Sequence, residues 1–407
     1  MDESLLVWQS LGVPWNAQIA LAARAIDASR ARDAIDVALA VHPLTRCAVD
    51  GGWVYDDRAS IGTVDVVACA NAHDVDQVRI AQISAPLPMD RAPLARAVVA
   101  RGADEDLLVF TMSHVVTDGL GLLRFMRSVG RAYRGEPDPP PAVDPATAQA
   151  ALAPPPPTSL TGLAQEWSQR LRVAAAQVPR RSRLAPSASA DSGFGIVVAD
   201  ASREAVDAAR RKHDATFDAY AMAVLHVAIA DWNAQRGAPC ARVGVSQGVN
   251  LRPQPWWDDC VLNLAAFASV FTDAPDRVDV ARALDVVAPQ LAADVRRAHA
   301  REMVAAARAA RAIPLATRAQ VLAAIPPEQF DTCAISNCGV LADPPHLDDH
   351  ARPVAWIITP AMPQSGLTIA VDVIADSLHF SVCYRRELFS PEDARTFVDG
   401  FVGALAQ

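Results

Sequence analysis

The stretch Leu107–Gly119, LLVFTMSHVVTDG, decides how the rest of the chain is read. Its first half is a short, almost uninterrupted apolar run, the pattern of a strand buried on both faces. It passes through His114 into Asp118-Gly119, after which Leu120, Leu123, Met126, Val129 and Tyr133 recur at helical spacing. Asp118 is a residue type that caps a helix by accepting an orphan backbone N–H, and Gly135 followed by Pro137 supplies the usual stop. A strand feeding directly into a helix is a building unit of mixed α/β folds. It puts a histidine at the strand's end, beside the first turn of the helix.

Working outward, Gln18–Ile26 predicts another strand, and Asp27-Ala28-Ser29 the cap of an amphipathic helix running to about Val41, where His42-Pro43 stops it. Thr45–Tyr55 predicts a further strand, punctuated by Gly51-Gly52. Pro137–Pro157 (PDPPPAVDPATAQAALAPPPP) cannot pack as helix or sheet and reads as an extended linker. Arg180–Asp191, basic and then Ser/Ala-rich, reads as a surface loop. The mixed pattern then returns: a helix over Thr216–Gln235, strands over Ala241–Ser246 and Val261–Phe271, and helix from Arg277 to about Ile313. Two strands turning at Ala375-Asp376 span Leu367–Arg385, and Pro391–Leu405 closes the chain as a helix. The expected organisation is an N-terminal lobe at 1–136, a linker and loop at 137–191, and a C-terminal lobe at 192–407. Proteolysis is expected to start in 137–157 or 180–191, which lack packable apolar residues.

The 407 residues suit two domains or one two-lobed unit, and 51% hydrophobic with 20% charged residues excludes wholesale disorder. Lys plus Arg total 37 against 46 Asp plus Glu, a net charge of −9, a poor balance for binding nucleic acid. The single lysine, Lys212, leaves little scope for Schiff-base or P-loop chemistry. Cys47, Cys69, Cys240, Cys260, Cys333, Cys338 and Cys383 are odd in number, with no CxxC pair, which points to a reducing cytoplasm and away from a disulfide framework or zinc knuckle. Met1-Asp2-Glu3-Ser4 lacks the basic region of a signal peptide. The apolar stretches Phe217–Trp232 and Val261–Phe271 are interrupted by Asp218, His226 and Asp231 or too short to span a bilayer. The expectation is a soluble, cytoplasmic, monomeric protein without a membrane span, whose limits leave no room for a fused carrier domain.

The chemistry sits in Ser113-His114-Val115-Val116-Thr117-Asp118-Gly119. A histidine titrating near neutrality at a strand's end can serve as general base for an acceptor hydroxyl or amine. The competing reading is a helix-capping aspartate after a structurally satisfied histidine. Gly244-Val245-Ser246-Gln247-Gly248 fits GxSxG, but a nucleophile elbow continues straight into a helix, and Val249-Asn250-Leu251-Arg252-Pro253 does not. His346 and His350 are spaced as metal ligands without a third ligand nearby, and no metal is expected. Arg297, Arg301 and Arg308, with Arg180, Arg181 and Arg183, could dock an anionic group or an acidic partner; a solvated face explains them equally well. Trp256-Trp257 could pack where the lobes meet.

The HxxxDG segment resembles the active-site motif of the condensation-domain superfamily of thioester-dependent acyltransferases, which extends to wax-ester synthases, polyketide-associated acyltransferases and chloramphenicol acetyltransferase. Val41-His42-Pro43-Leu44-Thr45-Arg46 resembles that family's "rhPxLR" turn, and Pro86–Ala95 the stretch leading to the active-site strand. Gly248-Val249-Asn250-Leu251-Arg252-Pro253 is similar to its "vNxRp" signature, followed by Asn263, and Ser336-Asn337-Cys338-Gly339 to the "SNxG" of alcohol acyltransferases. Ser113 stands where many members carry a second histidine, and no DFGWG is found near the C-terminus; both lean towards the ester-forming branch.

The resemblance implies two chloramphenicol-acetyltransferase-like α/β lobes in a V, with His114 as base in a tunnel between them and the backbone at Gly119 near the oxyanion. It implies an Asp118–Arg252 salt bridge of structural role, against which stands a Ser-His-Asp relay. Ser113, Asn263 and Ser336 become substrate-binding candidates. The implied reaction moves an acyl group from a pantetheine thioester, on coenzyme A or an acyl carrier protein, to a hydroxyl acceptor, with no bound cofactor. An amide-forming enzyme, a non-catalytic relative that recruits a carrier protein, and a hydrolase centred on Ser246 are the alternatives.

Overall fold

The computed structural model describes residues 13–50, 52–141, 175–187, 192–253, 259–348, 355–358 and 365–407, with Val7, Trp256 and scattered positions between 159 and 171. In chain order the first half holds β1 (Asn16–Ala23), α1 (Ala28–Val41), β2 (Cys47–Val49), β3 (Trp53–Tyr55), β4 (Asp65–Ala68), α2 (Ala72–Ser84), β5 (Ala95–Arg101), β6 (Asp106–Ser113) and α3 (Gly119–Arg134). The second holds β7 (Phe194–Ser202), α4 (Arg203–Arg211), α5 (Phe217–Gln235), β8 (Arg242–Asn250), β9 (Ala265–Asp273), α6 (Val280–Gln290), α7 (Ala293–Ala309) and α8 (Leu315–Ala324). It ends with β10 (Cys333–Val340), β11 (Ala355–Ile358), β12 (Leu367–Ile374), β13 (Ser377–Arg385) and α9 (Pro391–Ala404).

These strands form a five-stranded sheet, ordered β11-β1-β6-β5-β4, a six-stranded sheet, ordered β7-β13-β12-β10-β8-β9, and the small β2–β3 pair. The fold is mixed α/β, as the sequence leads one to expect. Strand pairing and chain order part company at β11, which comes from the second half yet pairs antiparallel with β1, Gln18 opposite Ile358.

The local signals act as their chemistry requires. Asp27 accepts from the N–H groups of Ser29 and Arg30 to start α1, Thr216 caps α5, and Gly135 ends α3 in the left-handed region at φ 76°. The hydrophobic cores are shared across the halves. On β12, Leu367, Ile369, Val371 and Val373 pack into the C-terminal core with α5 and α9, whereas Ala370 and Ile374, on the opposite face, join the N-terminal core around α1 and α3. Helix α3 is therefore buried along most of its length, and even its Arg124 is 2% exposed, paired with Asp138 and Asp259.

Several expectations need correction. Arg180–Asp191 is no surface loop where it is described. Leu184 and Ala185 are buried, Asn233 bonds the backbone of Ala185 and Arg183, and Trp232 Nε1 donates to the Ala185 carbonyl. Arg181 is buried too, donating to the carbonyls of Gln177 and Gln329, so the basic cluster is partly structural. Residues 188–191 lie outside the described residues, as do 142–157 of the proline-rich linker. The linker's start is pinned, with Asp138 bonded by Arg131 at 2.8 Å and the Pro139 carbonyl by Arg124 at 3.0 Å. Thr45–Tyr55 is two short strands, and the helical stretch after Arg277 splits into α6 and α7, because Pro289 removes an N–H from the last turn of α6. Val261–Leu264 does not continue β9, for a reason given below.

His42, at the end of α1, bonds Ser128 of α3 through Nε2 at 2.8 Å, and His226 of α5 bonds Thr272 of β9 through Nδ1 at 2.7 Å. Burial, helped by Arg124 and Arg277 respectively, pushes both imidazoles from 6.5 down to about 3. Each stays neutral in the fold but gains a proton below pH 6.5 when unfolded. The stability they lend is complete above pH 6.5 and is lost as the pH falls from 6.5 to 3, at up to roughly 1.4 kcal/mol per pH unit for each histidine. Thermal melts from pH 8 to 4 should show this slope, and His226→Gln should flatten it; an unchanged slope would refute the assignment.

Candidate active site

His114 follows the last residue of β6, its N–H bonded to the Trp15 carbonyl at 2.8 Å in register with the β1–β6 ladder. The Trp15 indole meets the imidazole edge-on, with ring centroids 6.3 Å apart. Asn263 fixes the other side: its Nδ2 donates to the His114 carbonyl at 2.8 Å and lies 3.3 Å from His114 Nδ1. Asn263 thus holds the histidine in place and is absent from the described cavity wall. Ser113 is likewise absent from it; it is fully buried, and its hydroxyl accepts the Val115 N–H at 3.4 Å.

Asp118 caps α3 by accepting the Gly121 N–H at 2.9 Å. The same carboxylate receives Arg252 of the second half in a two-pronged ion pair, Nη1 to Oδ2 at 2.6 Å and Nη2 to Oδ1 at 2.8 Å, and the Leu264 N–H at 2.8 Å. Four donors fill the four lone-pair directions of a carboxylate, so it has nothing left to relay to an imidazole. The guanidinium also binds the main chain, with Nη2 donating to the Cys260 and Leu262 carbonyls at 3.0 and 2.7 Å. Both side chains are essentially removed from solvent, at 3% and 0% exposure. This pair also explains why Val261–Leu264 is not strand. The Leu262 carbonyl and the Leu264 N–H are used by the ion pair in place of a sheet ladder.

A cavity opens in front of His114. Trp15, His114, Asp118 and Gly119 line it from the first half; Gly248, Ala265, Phe267, Ala334, Ile335, Ser336, Cys338, Thr368 and Ala370 line it from the second. Gly119 packs closely against the second half, since a Cβ there would stand 3.3 Å from Cys338 Sγ. The Ser336–Gly339 motif is a bulge: the β10–β12 register slips between Asn337 and Val340, with Gly339 at φ 78°. Asn337 holds it, accepting the Gly339 N–H at 2.9 Å and donating to Asp218 at 2.8 Å. Ser336 and Cys338, two residues apart on β10, both face the cavity and form part of its wall.

The other motifs fall elsewhere. Ser246 lies inside β8, its hydroxyl bonded to Asp331, with no strand-to-helix elbow. His346 bonds the Pro344 carbonyl through Nδ1 at 3.1 Å; His350 lies outside the described residues, among which no metal-binding cluster occurs. Trp256 packs with Leu44, Cys260, Leu262 and Leu264, and Trp257 is outside the described residues. No helix among the described residues is long and apolar enough to cross a membrane. Trp15, Phe267, Thr368 and Ala370 carry no sequence signal of a site; β1–β6 pairing brings Trp15 to His114, and the folding of β9 and β12 against the first half brings the others.

Removing one partner of a buried ion pair strands the other charge, at a cost on the order of 3–5 kcal/mol. Asp118→Asn and Arg252→Ala should each lose about that much stability in denaturant melts, and the double variant should lose less than the sum. Strict additivity, or Asp118→Asn that melts normally and fails only in catalysis, would replace the salt bridge with a relay.

No family model matches the chain. Two proteins of Mycobacterium tuberculosis, Rv2305 of strain ATCC 25618 / H37Rv and MT2362 of strain CDC 1551 / Oshkosh, are each 27% identical over 282 residues. Each alignment covers 64% of this chain and 63% of the relative's length. The first condensation domain of the CDA synthetase superposes with a TM-score of 0.69 at 15% identity, covering 99% of this chain and 93% of that one. The EpoB cyclization–docking bidomain from Sorangium cellulosum gives 0.67 at 14% identity, with 97% and 80% covered. The SgcC5 protein from Streptomyces globisporus gives 0.65 at 17%, with 97% and 92% covered. Across nearly its whole length, this chain has the condensation-domain, chloramphenicol-acetyltransferase-like fold.

Proposed function

We propose that the chain is an acyltransferase that moves an acyl group from a pantetheine thioester to a hydroxyl acceptor, forming an ester. The observation that carries this is the placement of His114. It stands at the wall of a cavity lined from both halves, held by Trp15 and Asn263, while Asp118 is occupied by Arg252. In the proposed reaction the imidazole takes the proton of the acceptor hydroxyl as its oxygen attacks the thioester carbonyl. The negative charge then falls on the former carbonyl oxygen. The first turn of α3, beginning at Gly119 on the cavity wall, offers N–H groups and the positive end of the helix dipole to that charge. The carbon–sulfur bond breaks, and the pantetheine thiol leaves with the proton returned by His114. No resident cofactor enters this scheme. A place in natural-product biosynthesis, with a carrier protein or coenzyme A bringing the donor, follows the condensation-domain likeness. The SgcC5 structure was solved with a 1,2-ethanediol, an alcohol, which favours the ester reading over an amide.

The test is thiol release from a panel of acyl-coenzyme A and acyl-carrier-protein donors, with matched alcohols and amines as acceptors. His114→Ala should lower turnover by roughly 10²–10⁴-fold while melting stays near wild type. Ester should form faster than amide with matched acceptors. Full activity in His114→Ala would overturn the mechanism, and amide outpacing ester would overturn the acceptor class.

A further inference from the structure

The cavity wall is uncharged in effect. Trp15 and Phe267 contribute aromatic surface, Ala265, Ala334 and Ala370 methyl groups, and Ser336 and Thr368 hydroxyls. Two ionisable groups stand on the wall: Asp118, neutralised by Arg252 through two hydrogen bonds and also capping α3, and His114, which the proposed reaction uses as an uncharged base. Farther along the same face of β12, two residues beyond Ala370, lies Asp372, 3% exposed and with no hydrogen-bond partner for Oδ1. Burial, with the nearby charge of Asp200, pushes its carboxyl up to about 8, so it is mostly protonated at neutral pH and adds little charge to this face.

An ionised ammonium or carboxylate entering such a space gives up its hydration and meets no fixed, unneutralised counter-charge among the described lining residues, whereas an alkyl or aryl group exchanges water for carbon contacts. We infer that the group seated in this cavity is uncharged and apolar, an alkyl or aryl chain carried by the thioester donor or by the acceptor alcohol, and that the same chain bearing an ammonium or carboxylate is refused. The inference rests on the acyl-transfer reading for the identity of the two carriers. Its central claim, the polarity of the occupant, does not depend on turnover. It separates this cavity from one suited to an unprotected amino acid.

Calorimetric titration of the wild-type chain with unreactive ligands tests it. The donor arm compares S-octyl-pantetheine with S-(7-carboxyheptyl)- and S-(8-aminooctyl)-pantetheine, and the acceptor arm compares octan-1-ol with 8-hydroxyoctanoate. In one arm the uncharged ligand should bind about 100-fold tighter or more than its charged analogues, and that arm identifies the carrier. Equal or tighter binding of the charged ligands, or no binding of the octyl ligands in either arm, would overturn the inference. Discrimination between ligands without transfer from any thioester would leave the inference standing and remove the acyl-transfer reading alone.

Discussion

The Asp118–Arg252 ion pair is the constraint around which the rest of the site is arranged. A buried carboxylate is tolerated only when its charge and lone pairs are met, and this one is met by a helix start, a main-chain amide and a guanidinium from the other half. Meeting that demand draws the Cys260–Leu264 segment away from sheet pairing and wraps its carbonyls around Arg252. The same wrapping delivers Asn263 to the backbone and ring of His114. The cap that begins α3, the irregular entry to β9 and the setting of the histidine are thus consequences of one electrostatic requirement.

The cavity arises because the two halves are not separate bodies that happen to touch. Helix α3 contributes to the N-terminal core and is tied by Arg131 to Asp343 in the second half, while β11 extends the first sheet with residues from beyond position 350. Small side chains where the six-stranded sheet faces His114 leave a space that large ones would have filled, and Trp15 and Phe267 limit it sideways. The site is a gap in a shared interior, not a groove on a surface.

How much of this was legible in the sequence follows from the range of each interaction. Asp27, Thr216 and Gly135 act on their own backbone neighbours, so their effects can be read a few residues away. His114 and its capping aspartate belong to one continuous strand-to-helix segment and declare themselves by spacing. The strands β4, β5, β7 and β11 and the helices α2, α4 and α8 are not legible in the sequence. β4 is a parallel edge strand exposed along its length, and α2 has no marked apolar side, with Arg79 among its buried residues. Their placement depends on partners far along the chain. Arg181 misled for the related reason that a charge which looks solvent-seeking in a run of arginines finds two carbonyls in the interior. Ser113 and Asn263 were assigned by resemblance to the substrate. In the structure Asn263 holds the histidine, Ser113 accepts the Val115 N–H, and neither is among the described lining residues, a distinction that needs coordinates.

Strand β12 imposes a further rule on how this chain can vary. Its even-numbered residues from Thr368 to Ile374 look towards the first half and its odd-numbered ones towards α5 and α9. A slip of one residue would therefore turn Leu367, Ile369 and Val371 into the reaction space and drive Thr368 and Asp372 into a hydrocarbon interior. Either displacement alone would be ruinous, and a single inserted or deleted residue causes both together. Length changes in this part of the chain are thus confined to its turns, whereas substitutions within the strand can adjust the cavity one side chain at a time while the neighbouring core keeps its packing.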